Sequence, residues 1–136
     1  MSSVVVDASV AIKWFVPEDG HEAARALLKP GMLLCAPDLI ISETCNIGWK
    51  KARLGDMVPD DVRALAASLH RSFDELVSGG RLSARAVDIA MALDHPVYDA
   101  FYVALAERRS VPLITADGKL VSRVAGTSWE HLVRLL

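Results

Sequence analysis

Val4-Val5-Val6 is a run of three β-branched residues that ends on a carboxylate, Asp7. A run so short and so uniformly apolar reads as a strand buried on both faces. Runs of the same kind stand at residues 32–36 and 111–115, and helical patterns fill the chain between them. Strands spaced by helices predict an α/β fold, with a parallel sheet covered by helices on both sides. In such folds, sites gather at the carboxyl ends of the strands. Asp7 and Asp117 each follow a strand pattern directly, so the topology itself points to them.

The helices carry ordinary start and stop signals. Residues 10–15 form a short helix that Pro17 ends, and residues 21–28 form a second that Pro30-Gly31 closes. Pro37 and Asp38 open a longer helix that runs to about Leu54, with Gly55 as its stop. Val62, Leu65, Ala66, Leu69 and Phe73 keep the spacing of an apolar stripe, until Ser78-Gly79-Gly80 breaks it. Helices are predicted over 83–93, 97–109 and 117–124, the second apolar almost all round and hence buried. The tail from Trp129 fits either a helix or a strand.

The chain has 136 residues, the length of one domain, expected to span 1–136. Folding at that size buries roughly two-thirds of the surface, so a core forms without staples. With 52% hydrophobic and 24% charged residues, the composition is globular. Cys35 and Cys45 have neither a CxxC nor a zinc spacing. No leader pattern and no stretch of ~20 apolar residues is visible, which leads to the expectation of a cytoplasmic protein away from membranes. Net charge is −2, so a polyanionic partner would have to be drawn by local cations.

Four acids stand out, each with a plain alternative. Asp7 and Asp117 both have the position of a helix N-cap. Glu43 lies in a mostly apolar helix, sharing a face with Leu39, Asn46 and Lys50, where it would sit at the core edge or pair with a lysine. Asp99, just after Pro96, could simply stabilise a helix dipole. Yet its helix is too apolar for an ordinary solvent-facing acid, and a carboxylate entering it needs a partner, of which a metal is one. Ser9 and Thr115 could support neighbouring carboxylates, and Asp94 or His95 could cap the helix after Pro96. No nucleophile motif and no phosphate loop is present. Asp7-Ala8-Ser9 lacks the Asp-x-Asp of a haloacid-dehalogenase-like phosphatase, and the acids do not match a response-regulator receiver. A non-catalytic binding module of the same fold is the remaining rival outside the enzymes.

Taken in order, three stretches resemble the PIN domain, and more narrowly the VapC ribonuclease toxins of type II toxin–antitoxin pairs. They are VVVDASVAIKWFVPE, APDLIISETCNIGWKKARLG and VYDAFYVALAERRSVPLITADGKL, which together run over nearly the whole chain. The resemblance implies a three-layer α/β/α sandwich with a short, mainly parallel sheet, a last strand in the tail, and a homodimer. It implies a Mg²⁺-dependent endoribonuclease, with Mn²⁺ substituting, whose RNA products carry 5′-phosphate and 3′-hydroxyl ends, and which a cognate antitoxin restrains. The family's acids fall on Asp7, Glu43, Asp99 and Asp117, and its accessory positions on Asn46 and Thr115. Many relatives carry another acid two residues after Asp117; here Lys119 stands there, so a second metal position lacks that ligand. The other expected role within the family is RNA processing without an antitoxin.

The chemistry suits these residues. A hard cation offsets charge on the phosphate and acidifies a water. Asp7 and Asp99 are assigned as its main ligands and Asp117 as a third, while Glu43 holds a water or acts as general base. Without a cation, four converging carboxylates would raise at least one pKa. Lys13, Lys50, Lys51, Arg53 and Lys119 are candidate RNA contacts, and Trp14, Trp49 and Trp129 candidate stacking surfaces. Val10, Ile12, Trp14, Phe15, Leu27 and Leu28 offer apolar surface either to the core or to a partner helix.

Overall fold

Val4, Val5 and Val6 have almost no exposure in the computed structural model, which describes residues 2–136. They belong to β1 (Ser2–Val6), the middle strand of a five-stranded sheet ordered β3-β2-β1-β4-β5. The other strands are β2 (Met32–Pro37), β3 (Glu75–Val77), β4 (Leu113–Thr115) and β5 (Val133–Leu135). Every pairing is parallel, with Val4 beside Leu34 and Val6 beside Ile114.

The helices are α1 (Ala8–Ala11), α2 (His21–Ala26), α3 (Leu39–Arg53), α4 (Pro59–Ser68), α5 (Ser83–Leu93), α6 (Val97–Arg109) and α7 (Gly118–Val124). From β1 the chain winds outward to β2 and β3, then returns across the sheet to β4 and β5. Right-handed crossovers place the helices of the two runs on opposite faces, and α6 packs on β1, β2 and β4. The order of the strands reverses between β1 and β4, which opens the crevice where α/β proteins place ligands.

Most elements fall where the patterns put them, and α5 and α6 agree to the residue. The helix expected over 10–15 is instead α1 followed by a 3₁₀ turn, Ile12–Trp14. The ambiguous tail is a 3₁₀ turn, Glu130–Leu132, leading into strand β5. The helical stripe expected to run through Phe73 to the break at Ser78 instead ends as α4 at Ser68 and a 3₁₀ turn, Leu69–Ser72; Phe73 is extended, and Glu75–Val77 forms β3, too short to show an alternation.

The apolar residues around α1 and α2 largely serve the core. Val10, Ile12 and Trp14 are buried, with the Trp14 indole donating to Ala24 O at 2.9 Å, while Leu28 alone of the six is exposed.

Gly48 sets the spacing of α3 against α4: a Cβ there would come within 3.2 Å of Val62 Cγ1. Gly48→Leu should cost about 1–3 kcal/mol through overpacking. A urea melt reads this directly, and an unchanged midpoint would mean the helices separate freely.

Candidate active site

At the carboxyl end of β1, the chain turns into α1 with Asp7 as its N-cap. Asp7 Oδ1 accepts from Ser9 N (3.1 Å), Val10 N (3.3 Å) and the Ser9 hydroxyl (2.5 Å). Oδ2 accepts from the Thr115 hydroxyl at 2.5 Å. Thr115, fully buried at the end of β4, also takes a hydrogen bond from Asp117 N at 3.0 Å. Ser9 Oγ accepts from Ala116 N at 2.9 Å. The ends of β1 and β4 are thus stitched by two hydroxyls, and the supporting role allowed to Ser9 and Thr115 is the one they have.

Asp117 is also an N-cap: its Oδ1 accepts from Lys119 N at 2.9 Å, at the start of α7. The capping and site readings are compatible for both acids, since each cap leaves carboxylate lone pairs over.

Glu43 lies one turn into α3, half-buried, and pairs with no lysine. The Tyr102 hydroxyl from α6 donates to its Oε1 at 2.6 Å. Asp99, in the first turn of α6, finds a partner that the sequence reading assigned elsewhere. His95 Nε2 sits 2.6 Å from Asp99 Oδ2. Neither His95 nor Asp94 caps α6; Asp94 ends α5 in a left-handed conformation, φ 50°. Of the two missed partners only His95 had a signal in its spacing, four residues before Asp99. Tyr102 reaches Glu43 from another helix, and nothing in the local sequence announces that contact. Asn46 is exposed on α3, one turn beyond Glu43.

Electrostatics ties Asp7, Glu43 and Asp99 together. Burial pushes the Asp7 carboxyl up to about 6; the hydrogen bonds from Ser9 and Thr115 oppose this, and the Asp99 charge adds to it. Burial also raises Glu43 above the usual carboxylate range, against the Tyr102 hydrogen bond and with the help of Asp99. Burial and the Glu43 charge keep the Tyr102 phenol protonated, so it remains a donor. The expected upward shift is present, with burial rather than mutual repulsion as its first cause.

Among the described residues, no three His, Cys, Asp or Glu side chains close to metal-holding geometry. The donor chemistry nonetheless fits a hard divalent cation. All four acids offer oxygen from separate elements. Glu43, Asp99 and Asp117 each keep one carboxylate oxygen without a protein donor.

The cations expected to reach RNA have different fates. Lys13 and Lys51 both pair with Glu18, at 3.3 and 2.7 Å. Arg53 lies over the exposed Trp49 ring at 5.5 Å. Lys50 and Lys119 are exposed and make no ion pair among the described residues. Trp14 is core, and Trp129 is half-buried, donating to Glu107 at 2.7 Å.

A five-stranded parallel sheet with acids at its switch point matches a known class. The PIN domain model matches residues 4–126, and the chain belongs to the PIN-domain family. Ribonuclease VapC3 of Pyrobaculum aerophilum is 34% identical over 122 residues, which cover 88% of this chain and 93% of that protein. Among solved structures, PAE2754 from Pyrobaculum aerophilum superposes with a TM-score of 0.68 at 23% identity, covering 93% of this chain and 82% of the other. Mycobacterium tuberculosis VapC20, described as a sarcin-ricin loop cleaving toxin, gives 0.64 at 18% identity, covering 93% and 97%. A toxin–antitoxin complex from Klebsiella pneumoniae gives 0.60 at 17% identity, covering 96% and 95%. These likenesses establish the fold, an α/β sandwich of the PIN type.

Proposed function

We propose that this chain is a metal-dependent endoribonuclease acting as the toxin of a type II toxin–antitoxin pair, with Asp7, Glu43, Asp99 and Asp117 as its site. The observation that carries this reading is the buried Asp7, raised to about 6 and sharing its surroundings with Asp99 at the switch point of the sheet. A structural cap has no need of burial beside a second acid, since an exposed one serves as well. The 34% identity to ribonuclease VapC3 supports the choice of reaction.

Asp7, Asp99 and Asp117 would hold Mg²⁺ or Mn²⁺, with Glu43 alongside. When bound, the ion neutralises charge on the phosphate and lowers the pKa of a water. The chain's own residues position and exchange protons around it. Ser9 and Thr115 fix the Asp7 carboxylate, and Thr115 also locks the backbone that carries Asp117. Glu43, with its raised pKa, is a stronger base than an ordinary glutamate and takes the proton of the attacking water at Oε2. The Tyr102 hydroxyl holds Oε1 and orients that carboxylate.

An antitoxin is the proposed partner. Its Arg or Lys would pair with the acids, in the geometry such side chains make with carboxylates. Apolar anchoring has a place beyond the end of α3, where a shallow groove between Phe15, Met57 and Val58 adjoins the exposed Leu54. Self-association is proposed through α5 and α6, where Met91 is 77% and Tyr98 63% exposed.

Purified protein incubated with single-stranded RNA should cleave it in Mg²⁺ or Mn²⁺ and stop on addition of EDTA. Cleavage that continues in EDTA removes the metal from this mechanism.

A further inference from the structure

Beside the acids lies an open cleft of about 540 Å³, lined by His95, Gly118, Lys119, Ser122 and Arg123. Its walls begin at the site. His95 is hydrogen-bonded to Asp99, and the backbone N–H of Lys119 to Asp117. From there the cleft follows one face of α7, where Lys119 and Arg123 stand four residues apart and project side by side. Both are exposed, and neither makes an ion pair with any described residue, whereas Lys13, Lys51, Arg63, Arg85 and Arg109 are each held by a carboxylate. Two free cations in one concavity, in a chain of net charge −2, form a local anion-attracting field where the molecule as a whole supplies none.

We propose that this cleft is the subsite for an RNA backbone phosphate flanking the scissile bond, held by Lys119 and Arg123 with the Ser122 hydroxyl as a further donor. This rests on the nuclease reading above and adds the path of the strand. The RNA leaves the acids over Gly118, where no side chain stands in the way, and runs along α7. Lys119 contributes a compact charge, and Arg123 a planar fork suited to two phosphate oxygens. Both act through the substrate's charge and not through its bases, so the subsite strengthens binding for any single-stranded sequence. Continuity of the cleft with the acids favours RNA over an acidic segment of a protein partner.

The test measures binding of a labelled single-stranded RNA in Mg²⁺, using Asp7→Asn protein to prevent turnover, across a series of salt concentrations. Adding Lys119→Gln and Arg123→Gln together should weaken binding about tenfold or more. It should also flatten the salt dependence by about one to two units of log Kd per log salt. Lys119→Arg should bind as the parent does. Lys29→Gln with Arg108→Gln, which precede β2 and β4 at the amino-terminal end of the sheet, should leave affinity and slope unchanged; an equal loss there would reduce the effect to net charge and overturn the subsite. Unchanged RNA binding in the Lys119/Arg123 variant, with wild-type cleavage still metal-dependent, overturns the subsite and leaves the nuclease intact. Unchanged RNA binding with lost antitoxin binding assigns the cleft to the protein partner. If the wild-type chain never cleaves RNA in any metal, the nuclease reading fails first and takes the subsite with it.

Discussion

Asp7→Asn protein should cleave RNA slower by on the order of a thousandfold, and yet be more stable than wild type at pH 8. The loss of rate follows from removing a charged ligand of the proposed metal, because several kcal/mol of transition-state stabilisation corresponds to that factor. The gain in stability follows from the titration of Asp7. Its pKa lies at about 6 in the folded chain against an ordinary value of 3.8, so the folded state binds the proton more tightly than the unfolded state does. A shift of that sign contributes stability that is complete below about pH 4 and is lost as pH rises through 6. Above pH 6 the wild type therefore carries an ionised, buried Asp7 at a cost of about 3 kcal/mol, on the order of two pKa units. Asparagine keeps the acceptor for Ser9 and Val10 N–H but loses the acceptor for Thr115, so the net gain should be about 1–3 kcal/mol. Below pH 4, where Asp7 is protonated, the gain should vanish and the wild type should be as stable as the variant or slightly more so. Mg²⁺ should raise the melting temperature of the wild type alone. A variant less stable than wild type at pH 8 would make Asp7 a structural cap.

Growth should cease in cells expressing this chain alone, and resume both with Asp7→Ala and on co-expression with the proposed antitoxin. A ribonuclease restrained only by a partner harms its host whenever the partner is missing. Co-purification as a stable complex should accompany the rescue. Equal growth in all three strains, with the wild-type protein shown to be soluble, removes the toxin role and leaves the family and its fold.

The sequence made the strands that matter most easy to read. β1 is buried on both faces, so its pattern is a plain apolar run, and α5 and α6 announce their ends with Pro96 and the turn after Arg109. β3 escaped because three residues at a sheet edge carry too little pattern to register. The four candidate acids stood out in the sequence because Asp7 and Asp117 directly follow strands and Glu43 and Asp99 lie in apolar helices. Their partners were less legible. His95 looked like a cap before a proline, and only the fold shows that its ring turns back to Asp99. Tyr102 passed for one more apolar residue on a buried helix, although its hydroxyl is what holds Glu43. The pairing of Lys13 and Lys51 with one residue, Glu18, was equally invisible, since it depends on α3 lying against the loop after α1.

Asp7 and the backbone N–H of Asp117 share the Thr115 hydroxyl only because β4 docks beside β1, its partner across more than a hundred intervening residues. A ribosome making this chain N-terminus first releases β1, β2 and β3 well before β4. An incomplete chain without β4 lacks both Thr115, which holds the Asp7 carboxylate, and the strand end that carries Asp117. Strand order thus acts as a clock. The hydrogen-bonded setting of Asp7 is complete only once β4 has been made and has docked beside β1.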